Sequence, residues 1–174
     1  RGPTADGRFN PMIVAPGDWT TSLVGNNRAS CYGSYPPGEA GTYYHYCSGT
    51  SMSAPQVSGS SVLIVDWWRQ EYGVTPSPAM VKALLVNGAE DMAGGNDGTG
   101  GVLAHVPNFN VGWGRVNLDN VIRTELPVVY ADQEDVFANT GDTRSWTFVA
   151  ADASEPIKIT LAWTDAPGAV GANP

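Results

Sequence analysis

With 174 residues, 42% of them hydrophobic, the chain is long enough for one ordinary domain or two small ones. Its net charge of −8 argues against nucleic acid and anionic membrane as partners, and no apolar run is long enough to span a bilayer. The 13 prolines and 21 glycines are spread among turns and do not mark disorder, while a lysine content reduced to Lys82 and Lys158 suits a saline or extracellular setting.

In chain order, Met12-Ile13-Val14-Ala15 is a short apolar run closed by Pro16-Gly17, which predicts a buried strand ending in a turn. Cys31 and Cys47 flank a segment of turn formers and tyrosines, including Tyr32, Tyr35, Tyr43, Tyr44 and Tyr46. The cysteines are too few for a structural zinc site. At Gly49-Thr50-Ser51-Met52-Ser53-Ala54-Pro55 a loop of small residues turns into an apolar helix. Pro55 is expected in its first turn, where a missing N–H costs little. Ser51 then lies beside the free N–H groups and the positive end of the helix dipole, which stabilise negative charge forming on a substrate oxygen. A serine in such a place is also an ordinary helix N-cap.

Val57, Val62, Leu63, Ile64, Val65, Trp67 and Trp68 surround this helix almost completely, so it is expected to be buried on all sides. Ser58, Gly59, Ser60 and Ser61 would let other backbones approach its first half, and Gly73 would end it. Ser77 and Pro78 open a second helix as N-cap and first helical residue, with Val81, Leu84 and Leu85 on one face and Gly88 as its stop. Asp91, Asn96 and Asp97 lie in a glycine-rich loop. Such oxygen ligands suit structural calcium, but their spacing is not that of the EF-hand loop, and a solvated loop is the plainer reading; Asp165 invites the same two readings. Gly112-Trp113-Gly114-Arg115-Val116-Asn117 forms a turn in which Asn117 caps a helix that points Leu118, Val121 and Ile122 inward.

Near Glu125-Leu126-Pro127 the pattern changes from helical to strand-like. Residues 128–130, 145–149 and 157–164 read as strands; in the last, Ile157, Ile159, Leu161 and Trp163 alternate with Lys158, Thr160 and Thr164. Turns are expected at residues 139–142 and 165–168. The pattern is that of the beginning of a β-sandwich.

The segment from Gly49 to Pro55 resembles the Gly-Thr-Ser-Met-Ala-x-Pro sequence around the nucleophile of subtilisin-like serine proteases, the subtilases. Residues 1–8 and then 10–17, with Ala15-Pro16-Gly17, resemble that family's strand leading to an Ala-Pro-Gly turn; the helix opened by Ser77-Pro78 follows in the right order. Gly112 to Asn117 resembles the glycine-rich turn before the last helix of the catalytic domain, and residues 161–168 resemble the jelly-roll domain that follows it in one group of subtilases. The resemblance implies an α/β fold, in part a subtilisin-like three-layer domain with a parallel sheet over residues 1–123. Part of an all-β jelly-roll sandwich would follow over residues 124–174.

It further implies a serine endopeptidase acting on proteins or peptides, secreted, needing no cofactor. Ser51 would be both the catalytic nucleophile and, through its backbone N–H, an oxyanion donor, with Gly49, Thr50 and Met52 beside the substrate. In a secreted protease Cys31 and Cys47 would form one disulfide, free thiols being the alternative. The family's Asp and His precede its Ser, and no matching motif precedes Ser51 here. A further N-terminal segment carrying both is therefore the expected partner, and residues 1–174 alone should be inactive. His45 stands in the tyrosine-rich loop and reads as a rim or surface residue; His105 reads as a loop residue. Asn10, Asn26 and Asn27 match no amide donor to an oxyanion. Two other readings remain: a catalytically inactive subtilase homologue serving as a binding or structural module, and an α/β-hydrolase esterase. The esterase conflicts with Ser53, which stands where that fold's nucleophile turn needs glycine.

Overall fold

A computed structural model describes residues 1–23, 43–134, 137–150, 154 and 156–164. Asn26, Asn27, Cys31, Tyr32, Tyr35, Asp165 and the expected turn at 165–168 lie outside the described residues.

Two strands, β1 (Thr20–Leu23) and β2 (Tyr44–Cys47), pair antiparallel, with Thr20 opposite Cys47 and Leu23 opposite Tyr44. Among the described residues three helices follow: α1 (Thr50–Tyr72), α2 (Pro78–Asn87) and α3 (Asp119–Ile122). Several helix signals in the sequence act as expected, while Asn117 bonds one residue ahead of the α3 cap position, which Leu118 occupies. Gly73, at φ 71°, ends α1 and donates its N–H to Arg69 O. Ser77 Oγ accepts the Met80 N–H at 3.0 Å, and Pro78 starts α2. Asn117 Oδ1 accepts the Asp119 N–H at 3.0 Å at the start of α3. Gly88 stands at the end of α2, but at φ −76° it does not reverse the chain. Its value is steric, because a Cβ there would overlap Val121 of α3.

The core forms where the three helices meet: Ile64 and Trp68 from α1, Met80, Leu84 and Leu85 from α2, and Val121 from α3. Ile13, Val116 and Tyr130 pack against it. Tyr130 sits edge-on to Trp68, with ring centroids 5.3 Å apart, and Tyr72 lies 4.5 Å from the same indole. Burial raises the pKa of the Tyr130 hydroxyl.

Three expectations need correction. First, α1 is not buried on all sides. Of its residues Ile64 and Trp68 are buried, whereas Val62 and Leu63 are 66% and 53% exposed and space is open around Gly59. The core lies against one side of α1, and Ser58, Ser60 and Ser61 direct their hydroxyls to carbonyls one turn back rather than to neighbouring backbones. Second, the parallel sheet is reduced, among the described residues, to one bridge: Val14 N–H donates to Gly114 O at 3.0 Å, and Val116 N–H to Val14 O at 2.9 Å. The turns at Pro16-Gly17 and at Gly112 and Gly114 limit the contact to that short length.

Third, residues 128–130, 145–149 and 157–164 form no strand among the described residues. A strand needs a partner for its backbone groups, and no ladder forms there. The alternation of 157–164 survives in another form. Lys158 Nζ donates to Asn87 O and Ala89 O, and Asn87 Nδ2 donates to Thr160 Oγ1 at 2.9 Å. The polar side thus faces the end of α2, while Ile157, Ile159 and Leu161 are exposed. Burial lowers the pKa of Lys158. Among the described residues no helix is long and apolar enough to cross a membrane.

Candidate active site

Ser51 is the second residue of α1 and is exposed. Its N–H belongs to the first turn, whose donors have no carbonyl one turn back within the helix, and no acidic residue in that turn offsets the dipole. The entry is sharp. Gly49, at φ 143°, takes a backbone conformation that side chains disfavour, and its carbonyl accepts the Met52 N–H at 3.0 Å. Because α1 begins at Thr50, Pro55 is its sixth residue. It lies past the first turn, contrary to expectation, and its missing N–H leaves the Ser51 carbonyl without its helical donor.

A platform holds this turn. Gly49 N–H donates to Gly17 O at 2.6 Å, and Gln56 Nε2 donates to Pro16 O at 2.7 Å and to Met52 O at 3.3 Å. A Cβ on Gly17 would overlap Ser53 Oγ, so the Pro16-Gly17 turn lies directly on the helix. On the strand side, Ser48 Oγ donates to Asp18, and Trp19 N–H donates to Ser48 Oγ at 2.9 Å. The platform is itself tied down, since Trp113 N–H donates to Met12 O at 2.8 Å. Gly112, at φ 62°, approaches Pro11 and Met12 so closely that a Cβ would overlap both carbonyls. Ala15-Pro16-Gly17, the glycine-rich turn and the start of α1, far apart in sequence, are therefore consecutive parts of one support.

The sequence profile of the Subtilase family matches residues 1–114. The chain belongs to the subtilase family. Among the similar proteins is the serine protease/ABC transporter B family protein tagA of Dictyostelium discoideum, 29% identical over 188 aligned positions that take in 96% of this chain and 10% of that protein. Pyrolysin of Pyrococcus furiosus is 34% identical over 54% of this chain and 6% of its own length. C5a peptidase of Streptococcus pyogenes is 36% identical over 51% of this chain and 6% of its own length. The chain thus spans about a tenth or less of these relatives.

Within this subtilase segment, Met52 is half-buried beside Ser51, and Gly49 and Thr50 form the helix entry. No hydrogen bond among the described residues joins Ser51 to an imidazole. His45 lies on β2 opposite Ser22, with Nδ1 buried and without a hydrogen bond among the described residues. His105 is 88% exposed in its side chain and pairs through Nδ1 with Asp91 Oδ2 at 2.7 Å. That hydrogen bond, more than any other influence, holds the Asp91 carboxyl below its usual range. The oxygens considered for calcium are engaged locally: Asn96 Oδ1 accepts the Gly98 N–H, and Asp97 Oδ1 accepts N–H groups of Thr99 and Gly101. The bonds from Thr99 foremost lower the Asp97 pKa. No group of three or more His, Cys, Asp or Glu among the described residues is placed to hold a metal.

Cys47 is disulfide-bonded; Cys31, the partner expected from the sequence, lies outside the described residues. Gln56, Asp18 and Ser48 escaped the sequence reading. The available signal was their place: Gln56 follows Pro55, and Asp18 and Ser48 immediately flank the Pro16-Gly17 turn and Gly49.

Proposed function

We propose that this chain is the nucleophile-bearing part of a secreted serine endopeptidase, in which Ser51 attacks the carbonyl carbon of a peptide bond. The observation that carries this reading is an exposed Ser51 in the N-terminal turn of α1, within a subtilase segment. The serine hydroxyl adds to the carbonyl while a base takes its proton. The negative oxygen of the tetrahedral intermediate is stabilised by the Ser51 backbone N–H and the helix dipole. The amine leaves with that proton, and water then hydrolyses the acyl-enzyme. Each step needs a nucleophile, a base and oxyanion donors, and no cofactor.

The base and its carboxylate partner come from chain outside these 174 residues. His105 is engaged by Asp91, and His45 makes no hydrogen bond to Ser51, which supports this assignment. Residues 1–123 belong to the catalytic domain, and residues 124–174 begin a β-sandwich whose strands require further chain to pair. The tagA match across 96% of the chain supports treating both as parts of one protein. Cys31 and Cys47 form the disulfide, as an unreduced digest analysed by mass spectrometry would reveal. The exposed side of α1 and the unpaired Ser51 also favour a second reading, an inactive homologue that only binds.

A fluorophosphonate, which labels activated serines, separates these readings. The longer natural protein should be labelled, its Ser51→Ala variant should not, and residues 1–174 alone should stay unlabelled. No labelling of the longer protein would establish the inactive homologue. Strong labelling of residues 1–174 alone would overturn the external base.

A further inference from the structure

The helix that presents Ser51 has a defect built into its first turns. Pro55 has no N–H, so the carbonyl of Ser51 lacks the bond that would lock that residue to the following turn. Proline at this depth also pushes against the same carbonyl. The turn most in need of a fixed position is therefore the one its own helix holds least.

We propose that Gln56 is a positioning residue for the nucleophile, its side-chain amide tying the segment around Ser51 to the Pro16-Gly17 turn where Pro55 leaves the helix one hydrogen bond short. The inference rests on the reading of Ser51 as nucleophile. The amide nitrogen donates outward to Pro16 O at 2.7 Å and back to Met52 O at 3.3 Å. Both acceptors are carbonyls, which fixes the orientation of the amide. One side chain thus joins the residue after Ser51 to the turn beneath it. The Gly49 to Gly17 bond at 2.6 Å holds the other end of the same segment. Between these two ties, residues 49–56 are bracketed against Pro16-Gly17, and the contact of Gly17 with Ser53 leaves no slack between them. The hydrogen bonds of the Gln56 side chain run to Pro16 and Met52 and not to Ser51. Gln56 acts through the placement of Ser51, and small displacements of a nucleophile cost rate steeply.

The test uses the longer natural protein, with active sites counted by fluorophosphonate so that kcat refers only to folded, competent enzyme. Gln56→Met keeps the length of the side chain and removes the donor. It should lower kcat about tenfold while KM stays within about twofold, since binding is untouched and orientation is not. Pro55→Ala restores an N–H for the Ser51 carbonyl. In that background Gln56→Met should lower kcat less than about threefold, because the helix then supplies the missing tie. If Gln56→Met does not fold, Gln56→Asn, one methylene too short to bridge both carbonyls, carries the same comparison. A kcat unchanged within about twofold, an equal loss in both backgrounds, or a loss confined to KM would overturn the role of Gln56. Turnover that survives Ser51→Ala would instead sink the underlying reading of the nucleophile.

Discussion

Residues 12–17, 88–91 and 112–116 satisfy one another's backbone groups around a helical core, and each brings a residue against another part of the same network. Residues 156–164 differ. They meet the end of α2 through Lys158, Thr160 and Asn87 and leave Ile157, Ile159 and Leu161 to solvent. The difference follows from where each kind of element finds its hydrogen bonds. A helix closes its own bonds within one turn, so α1 and α2 form even where one side of α1 stays uncovered. A strand closes its bonds only on a neighbour, so an alternating sequence without one stays a strand in pattern alone.

The comparison breaks most easily in the core. Ile64→Ala should cost about 2–5 kcal/mol, because it empties space at a fully buried site. Leu161→Ala, at 72% exposure, should stay within ~0.5 kcal/mol. Chemical denaturation of the folded protein measures both, and equal losses would erase the contrast between the two regions.

Gly112→Ala sharpens it at the support of the site. The new Cβ meets the carbonyls of Pro11 and Met12 while the backbone keeps φ near 62°, and a loss of about 1–3 kcal/mol is expected. Fluorophosphonate labelling of Ser51 in the longer protein should slow in the same variant, since the displaced segment leads to Pro16-Gly17. Unimpaired stability and labelling would show that the support is not continuous.

The smallest effect concerns the exposed pair in the loop after α2. His105 holds Asp91 below its ordinary value of 3.8, so the pairing contributes stability above that pH and loses it as the pH falls through the depressed value. His105→Asn should move the Asp91 titration, followed by NMR, up toward 3.8. An unmoved titration would leave the Asp91 shift to its backbone donors at Ala93 and Val106.

The helices and their ends were legible because their signals are local: Ser77 with Pro78, Gly73, and Asn117 each act within a turn of where they stand. The helix entry around Ser51 was legible for the same reason, through the residues on either side of it. The position of Pro55 was misread by about one turn, since the helix boundary depends on the unusual backbone of Gly49 and not on residue type alone. β1 and β2 were missed because Thr20–Leu23 and Tyr44–Cys47 pair across residues 24–43 and show little alternation. Gln56 was missed because its partner, Pro16, lies 40 residues earlier. No periodicity in a sequence encodes such a contact.

Trp68 offers an optical consequence. Its ring is 4% exposed, its Nε1 is buried without a hydrogen bond among the described residues, and Tyr130 covers it from beyond the end of α3. An excited indole is more polar than its ground state, and the rings of Tyr72 and Tyr130 stand against this one. Trp68 should therefore emit at short wavelength as long as Tyr130 stays in place. Lifting residues 124–134 away from α1 would admit water and shift that emission to the red while the helices remain intact. A variant that keeps Trp68 as its one tryptophan would thus carry a fluorescent gauge of whether the segment leaving the core is attached.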